Sequence, residues 1–374
     1  MVDGKRKLVQ VIKLDDGGNP AKAKLACDRA ATQDKVHAII GANGSHLVKI
    51  MNQTAERYKL IALNNVSMAD DLQDATNFSK YAFQTWYQTS QAGRAFGYFY
   101  GQIRKKEKKF YIICQDYLFG HDLAESFKKG LKEYFPEAQV VGEDFHRLFM
   151  TDFAPYLTKI KASGAEVIFT GNWGPDATNL VKQARQMGIN IPIAHIFISN
   201  PSDLVPLGVE GTKNMFQASC YVNGNPEFPT PEAFKFHQLM TSLYKKFKPP
   251  YNSRNFEQGW DPLTMPIYWM LSVFERAAST DPEKIIKVWE GDTFQYIKGH
   301  QMKMRACDHN TVQDIHVIEF APPDQQKAAY NYPPYRWTND YSFWGKAYRI
   351  PAENVLPWMD SKLERCKGKN PSGN

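Results

Sequence analysis

The sequence of 374 residues lacks the long apolar runs of membrane-spanning chains and the clustered positive charge of nucleic-acid-binding domains. Its longest strongly apolar segments, such as 165–170, are only as long as a β-strand, and its mean hydropathy of −0.50 argues against a transmembrane helix. The net charge of +7, from 46 basic and 39 acidic residues, is a weak excess for this length. Nucleic acid is therefore not an expected partner.

Cysteine is scarce and widely spaced. The sequence contains no CxxC pair, so a zinc ribbon or a redox dithiol is not supported. Adjacent residues such as Cys307, Asp308 and His309 rarely face one metal ion, and we expect no metal site. Cys307 and Cys366 could form a disulfide bond in an oxidising compartment. The five cysteines are Cys27, Cys114, Cys220, Cys307 and Cys366.

The common catalytic and cofactor-binding motifs are also missing. The sequence has no GxGxxG after a predicted strand, no GxxxxGK[ST], no HExxH and no GxSxG. We therefore expect no catalytic residues and no cofactor. The first residues, Met1–Lys7, contain no apolar stretch of the kind found in signal peptides.

Strand and helix patterns alternate through the first half of the chain. Leu8–Leu14 is predicted to be a strand, and Asn19 followed by Pro20 predicts the start of a helix that ends near Thr32. Alternation of this kind is typical of βαβ units and a parallel sheet. Because there are too many units for one sheet of ordinary width, the sequence predicts an α/β fold with two doubly wound parallel-sheet lobes. Further strands are predicted at 36–40, 60–63, 110–114, 139–142, 166–170 and 192–196.

After residue 220 the alternation is weaker. A long helix is predicted at Asn255–Ala278, and the capping box Thr280–Glu283 predicts the start of another. From Ala321 the chain is rich in proline and aromatic residues, which favours an irregular segment wrapped over the body of the protein.

Four strand-to-helix turns carry small, polar or aromatic residues, and ligands of open parallel sheets bind where such turns lie. Ser45 begins a helix, so its hydroxyl and the free backbone N–H groups could bind an anion, or Ser45 could simply cap the helix. Trp173 lies between glycines, which suits either a ligand-facing wall or a packing residue. The four turns are 41–45, 64–68, 115–120 and 171–174.

Six short segments, in their order along the chain, resemble the leucine/isoleucine/valine-binding type of periplasmic solute-binding protein, a type I fold. Each motif is weak alone, but the ordered set is specific and covers roughly residues 5–320. The segments are Asp15–Pro20, Lys35–Gly41 with the serine-bearing turn that follows, Gln115–Gly120, Ala165–Gly171, Gln183–Gly188 and Gly259–Asp261.

The resemblance implies two α/β lobes joined by a three-stranded hinge, with crossings near Tyr87, Ala218 and Gly299. The lobes would close on a small ligand and deliver it to the permease subunits of an ABC importer. The resemblance also implies a periplasmic or otherwise extracytoplasmic protein, and we expect a monomer. The expected divisions are 1–87 plus 219–298 for the first lobe, 88–218 plus 299–320 for the second, and 321–374 for a C-terminal wrap.

The same resemblance assigns roles to individual residues. Ser45 matches the serine that binds the ligand carboxylate, Val66 a position that contributes a backbone group, and Trp173 and Phe119 two aromatic walls. The complete set of predicted ligand-binding residues is Asn43, Gly44, Ser45, Val66, Ser67, Met68, Phe119, Trp173 and Phe197.

Two positions depart from the family pattern. Met68 stands where the family has a threonine, with Ser67 as its only hydroxyl neighbour, and Phe197 stands where the family has the glutamate that pairs with the ligand ammonium. An unpaired ammonium in a closed apolar cleft is costly. Unless Asp176 or Asp203 reaches the cleft, the expected ligand is therefore a flatter, less polar carboxylate, such as an aromatic acid, rather than a branched-chain amino acid.

Two other functions remain open. A ligand-sensing domain of a receptor or regulator shares this fold, and a less favoured alternative is an enzyme on a doubly wound α/β fold. Neighbouring permease and ATPase genes would favour transport, a neighbouring kinase or regulator gene would favour sensing, and chemical conversion of the ligand would indicate an enzyme.

The start of the sequence also departs from the family. In the family a strand and a helix precede the segment that matches Asp3–Leu8, and that strand lies in the middle of the first lobe's sheet. We expect this chain to lack that βα unit and its export signal. The first lobe should then have a gap, or a sheet in two parts, beside Leu8–Leu14.

Overall fold

Strands and helices alternate in the described part of the chain. The computed structural model describes residues 2–198, 201–204, 206–220, 246, 261–295, 301–322 and 343–372. The strands are β1 (Ala38–Ile40), β2 (Ile61–Asn64), β3 (Ala82–Gln84), β4 (Lys109–Gln115), β5 (Gln139–His146), β6 (Val167–Thr170), β7 (Ile193–His195), β8 (Met215–Ser219), β9 (Thr293–Gln295), β10 (Gln301–Met304), β11 (Thr311–Val312), β12 (Ile315–Ala321) and β13 (Phe343–Ile350). The helices are α1 (Pro20–Thr32), α2 (Ser45–Tyr58), α3 (Thr89–Tyr98), α4 (Leu118–Tyr134), α5 (Ala154–Ala162), α6 (Pro175–Gln186), α7 (Pro201–Leu204), α8 (Gly208–Thr212), α9 (Asp261–Ala277) and α10 (Pro282–Trp289). Within these ranges no helix combines the length and the apolar character needed to cross a membrane.

Two main sheets define two lobes. In the first lobe, β1, β2 and β3 are parallel neighbours in the order β1-β2-β3. In the second lobe, seven strands follow the order β13-β12-β8-β7-β6-β4-β5, of which β8 to β5 are parallel and β12 and β13 are antiparallel additions. The α/β fold with two parallel-sheet lobes is therefore confirmed.

The central strands of the second lobe are buried on both faces. Along β4, Phe110, Ile112 and Cys114 belong to one hydrophobic cluster, and Tyr111 and Ile113 belong to another. Successive side chains of a strand point to opposite faces, and helices cover both faces of a parallel sheet. The continuous apolar run in this segment is the sequence pattern that such burial requires.

Helices α3 and α4 pack with their backbones in contact. A methyl group added at Gly97 would lie 2.2 Å from the carbonyl oxygen of Gly130, and one added at Gly130 would lie 2.1 Å from that of Gly93. Only glycine permits this approach. The contact fixes the middle and the end of α3 against α4.

The connections between the lobes lie side by side. The Tyr87 hydroxyl donates to the carbonyl oxygen of Ala218 at 2.9 Å, so the first two predicted crossings are adjacent. The Gln313 amide donates to the carbonyl oxygen of Thr85 at 3.2 Å, which places a third connection beside the first.

The third connection comes later in the chain than predicted. Gly299 lies outside the described residues, but β10 and β11 pair with β9 and not with the large sheet. An isolated bridge between Gln84 and Asn310 attaches this small sheet to the first lobe. The chain therefore enters the second lobe at 313–314, between β11 and β12, and the prediction of a crossing near Gly299 is wrong.

The prediction of a strand at Leu8–Leu14 is also wrong. These residues have no regular secondary structure, and Leu8, Val9 and Val11 are 90%, 67% and 76% exposed. A strand needs a neighbour to pair with. In the described part of the chain β1 pairs only with β2, and no sheet edge lies against this segment.

The C-terminal segment is more regular than predicted. Phe343–Ile350 is a strand, β13, that pairs antiparallel with β12, so the prediction of an irregular wrap is wrong for these residues. Gly345, Ala347 and Ile350 are buried, whereas Lys346 and Arg349 are exposed, so this strand is partly covered by the core. The residues from 351 to 372 contain only short 3₁₀ turns. A disulfide bond between Cys307 and Cys366, which the sequence left as an option, joins this tail to the body.

Candidate functional site

Two turns of the first lobe, after β1 and β2, are joined by hydrogen bonds. The Ser67 hydroxyl donates to the carbonyl oxygen of Ala42 at 3.0 Å and accepts from the Gly44 N–H at 3.1 Å. Asn64 shapes the second turn, because its amide donates to the Ser67 carbonyl oxygen and accepts from the Ser67 N–H, both at 2.9 Å. These contacts place Gly44 and Ser67 at the start of α2.

The start of α2 has three hydrogen-bond donors for which no described residue supplies an acceptor. Ser45 is buried, and its hydroxyl oxygen accepts from the Ala69 N–H at 3.3 Å, which leaves the hydroxyl proton unused. The N–H groups of Ser45 and His46 precede the first hydrogen bonds within the helix. Free donors at a helix N-terminus attract anions. The Ser45 side chain does not cap its own helix, since the N-cap is Gly44.

The remaining predicted residues of the first lobe differ in exposure. Val66 is half-buried, and its N–H donates to the Asn64 side chain at 3.2 Å, so this group is used within the turn. Met68 is 1% exposed and packs in the core. Asn43 is exposed.

Aromatic side chains of the second lobe form a connected group at the carboxyl ends of β4, β6 and β7. The indole N–H of Trp173 donates to the Tyr117 hydroxyl at 2.9 Å. The ring centroids of Tyr117 and Phe119 are 5.8 Å apart, and those of Phe119 and Phe197 are 5.6 Å apart. Phe119 is buried, whereas Trp173 and Phe197 are half-buried. The three predicted aromatic residues therefore lie together, and Tyr117 joins them.

The start of α2 and the aromatic group meet across the lobes. The imidazole of His46 lies edge-on to the Tyr117 ring, with centroids 6.3 Å apart and an interplanar angle of 88°. Ser45, the neighbour of His46, and Trp173, which is bonded to Tyr117, consequently lie on elements that face each other across the boundary between the lobes. Neither His46 nor Tyr117 is among the predicted ligand-binding residues, although Tyr117 lies in one of the four strand-to-helix turns and His46 directly follows another.

Asp176 supports the Trp173 turn from within the second lobe. Its carboxylate accepts from the Gln115 amide at 2.8 Å and from the Phe149 N–H at 2.9 Å, and the same Gln115 amide lies 3.4 Å from the Trp173 carbonyl oxygen. Asp176 is fully buried, and its second carboxylate oxygen has no partner in the described part of the chain. Asp203 is half-buried on α7.

A model of the periplasmic binding protein family matches residues 2–326. The chain belongs to this family. The family assignment confirms the resemblance found in the sequence, and the lobes described above are those of a type I periplasmic binding protein.

Individual members show how far the similarity extends. The chain is 26% identical to Leu/Ile/Val-binding protein homolog 4 of Brucella melitensis over 272 residues, which cover 64% of this chain and 63% of that protein. The chain thus spans less than two thirds of that relative's length. Its structure is similar to that of a leucine-, isoleucine-, valine-, threonine- and alanine-binding protein from Brucella ovis in a closed conformation, with a TM-score of 0.77, 18% identity, and coverage of 98% of this chain and 89% of the other. It is also similar to an ABC transporter solute-binding protein from R. palustris in complex with 4-hydroxybenzoate, with a TM-score of 0.72, 19% identity, and coverage of 89% and 83%. At these identities the two structures show a shared fold.

In this periplasmic binding protein, a pair of carboxyl groups lies between the lobes. The Asp70 N–H donates to the Asp122 carboxylate at 2.8 Å, and the Asp70 carboxylate accepts from the Ser90 hydroxyl at 2.7 Å. Burial, and after it the negative charge of Asp122, raises the pKa of Asp70 to about 8. Burial also raises the pKa of Asp122. The pair therefore retains a proton at neutral pH.

One cluster of side chains of the kinds that bind metal ions has a structural role instead. Cys307, Asp308 and Cys366 are the one group of such donors found within the described residues. The two sulfur atoms are bonded to each other, and Asp308 accepts from the guanidinium of Arg305 at 2.8 Å. Both charged side chains of this pair are buried, and the Arg305 guanidinium also donates to the carbonyl oxygens of Pro357, Trp358 and Pro371, which ties the tail to the body.

Proposed function

We propose that this chain captures a small carboxylate between its two lobes and delivers it to the permease subunits of an ABC importer. The observation that supports the proposal is the set of unused donors at the start of α2, opposite an aromatic group in the second lobe. In this proposal Ser45 and the neighbouring N–H groups bind the carboxylate. Trp173 and Phe197 contact the body of the ligand, and the lobes close over it.

We favour an aromatic acid as the ligand. An amino-acid ligand brings an ammonium group, which needs an acceptor in a closed cleft. Phe197 supplies none, Asp176 is fully buried beneath the Trp173 turn, and Asp203 already takes part in an interaction within the protein. The complex of a similarly folded R. palustris protein with 4-hydroxybenzoate supports this choice of ligand class. Aliphatic acids and branched-chain amino acids are the alternatives.

We also propose that the protein acts outside the cytoplasm, as a monomer and without chemical conversion of its ligand. Disulfide bonds persist in oxidising compartments, and Cys307 and Cys366 form one. The family is one of binding proteins. Periplasmic action is therefore consistent with both the covalent structure and the family.

A thermal-shift screen followed by calorimetry tests the proposal. The screen covers benzoates, phenylpropenoates, aliphatic acids and branched-chain amino acids, and the cognate class should raise the melting temperature. Ser45→Ala should then lower the affinity by about 1–3 kcal/mol, the cost of a lost hydrogen bond to a charged group. Trp173→Ala should cost at least as much.

Matched controls separate the site from general damage. Ser163→Ala and Trp358→Ala remove the same side-chain types at positions away from the cleft, and both should bind as the wild type does. If Ser45→Ala and Trp173→Ala also kept the wild-type affinity, the proposed site would be wrong. Recovery of a chemically altered ligand from the pure protein would instead indicate an enzyme.

A further inference from the structure

Tyr117 carries a hydroxyl proton that the protein does not use. The hydroxyl oxygen accepts from the indole N–H of Trp173 at 2.9 Å, and none of the described residues accepts the proton of Tyr117 in return. Burial raises the pKa of Tyr117 to about 12, so the hydroxyl remains protonated at neutral pH. A partly buried hydroxyl that accepts one bond and donates none has a donor available for another molecule.

Tyr117 lies where the second lobe meets the start of α2. Tyr117 is the N-cap residue of α4, directly beyond the carboxyl end of β4, but its side chain makes no cap hydrogen bond. Its ring lies against His46, the residue that follows Ser45 at the start of α2. The His46 ring in turn covers Gly44, where an added methyl group would lie 3.1 Å from an imidazole carbon. The Tyr117 ring thus lies beside the turn that carries the unused donors of the first lobe, and its hydroxyl lies beside Trp173.

We propose that Tyr117 donates a hydrogen bond to the ligand's carboxylate from the second lobe, while Ser45 and the α2 N–H groups donate from the first. This inference rests on the proposed function and adds a residue that determines specificity. A carboxylate shared between both lobes links closure to the charge of the ligand, because only the closed arrangement supplies all donors at once. Hydrogen bonds to charged acceptors are the stronger ones. The arrangement therefore selects carboxylic acids over neutral analogues of the same shape.

Tyr117→Phe provides the test, measured with the acid that gives the largest shift in the screen and with the primary amide of that acid. The variant should bind the acid about tenfold to a hundredfold more weakly. It should bind the amide with a smaller loss, so that the wild-type preference for acid over amide falls several-fold. This ratio separates loss of a donor from a displaced Trp173, because displacement of the indole weakens both ligands alike. Tyr100→Phe is the matched control, since the buried Tyr100 hydroxyl has no partner in the described part of the chain and should matter to neither ligand.

The outcomes distinguish this inference from the proposed function. An unchanged acid-to-amide ratio in Tyr117→Phe, together with weakened binding in Ser45→Ala, would overturn the role of Tyr117 alone. A wild-type protein that binds no acid in the screen would overturn the proposed function and this inference with it. A reduced ratio in Tyr117→Phe but not in Tyr100→Phe would support the inference.

Discussion

The Asn64 side chain shapes the turn on which the candidate carboxylate site depends. It makes three hydrogen bonds to the backbone of Val66 and Ser67, and it is buried. We expect Asn64→Ala to lower the free energy of unfolding by about 1–3 kcal/mol, because the Ser67 backbone groups lose their partners inside the protein. The affinity for the ligand should fall as well, since Ser67 no longer orients the Gly44 turn. Urea unfolding and calorimetry measure the two effects.

Asn43→Ala is the matched control for stability. Asn43 lies in the neighbouring turn but is exposed, so its substitution should change the free energy of unfolding by less than about 0.5 kcal/mol. Equal stability of the Asn64→Ala and Asn43→Ala proteins would contradict the role given to Asn64.

Residues of the candidate site could be predicted from the sequence where they lie in a strand-to-helix turn. Ser45 and Trp173 lie in such turns, and a parallel sheet brings the carboxyl ends of its strands to one edge. The pairing of His46 with Tyr117 could not be predicted, because it depends on how the two lobes face each other. No local pattern in the sequence encodes that orientation.

At the scale of elements, the contact of Asp70 with α4 makes stability depend on pH. The folded protein keeps a proton on Asp70, whose pKa burial raises to about 8, whereas the unfolded chain releases it above about pH 4. Unfolding therefore releases a proton between these values, and the free energy of unfolding should fall as the pH rises from about 4 to about 8. The stability from the protonated group is fully present below about pH 4 and is lost through about pH 8.

Asp70→Asn tests this dependence, because it keeps the shape and removes the titration. Urea unfolding at a series of pH values should show that the free energy of unfolding changes less with pH in Asp70→Asn than in the wild type. The two slopes should differ by at most about 1.4 kcal/mol per pH unit. Asp152→Asn, at an exposed position, should keep the wild-type profile. Parallel profiles for the wild type and Asp70→Asn would show that Asp70 does not carry the proton.

A helix whose first turn carries a clear start signal was predicted well. α1 begins at Pro20 and ends at Thr32 as predicted, since the Asn19 side chain accepts from the N–H groups of the first turn. The structures of Leu8–Leu14 and of β13 were predicted wrongly, because a strand is stabilised by its neighbour rather than by its own sequence. The first segment has no neighbouring strand among the described residues, and β12 provides one for β13.

At the scale of the whole molecule, the disulfide bond fastens the tail to the body. It joins Cys307 to Cys366 across 59 residues. The double variant Cys307→Ser/Cys366→Ser should lower the free energy of unfolding by about 2–4 kcal/mol, because the unfolded chain gains conformations when the loop is opened. Denaturant unfolding with and without reductant measures the effect, and reductant should no longer affect the double variant. Cys27→Ser is the control, since Cys27 is a free thiol. A double variant as stable as the wild type would contradict this role.

The tail also contacts both lobes. The Tyr134 hydroxyl of α4 donates to the Asn354 carbonyl oxygen at 2.7 Å, and Ser90 of α3 accepts from the Trp358 N–H at 2.8 Å. Two residues further on, the Asp360 carboxylate accepts from the Ala75 N–H of the first lobe at 2.9 Å. The tail is therefore a tether between the lobes in addition to the crossings.

Such a tether reduces the number of open arrangements available to the empty protein. Closure on a ligand then removes less conformational entropy than it would in two lobes joined by the crossings alone. Less of the interaction energy with the ligand is spent on ordering the lobes, so the same few contacts give a higher affinity. Part of the strength of ligand binding would thus be determined by the Asp360 side chain and by the backbone groups of Asn354 and Trp358, none of which belongs to a predicted ligand-binding residue.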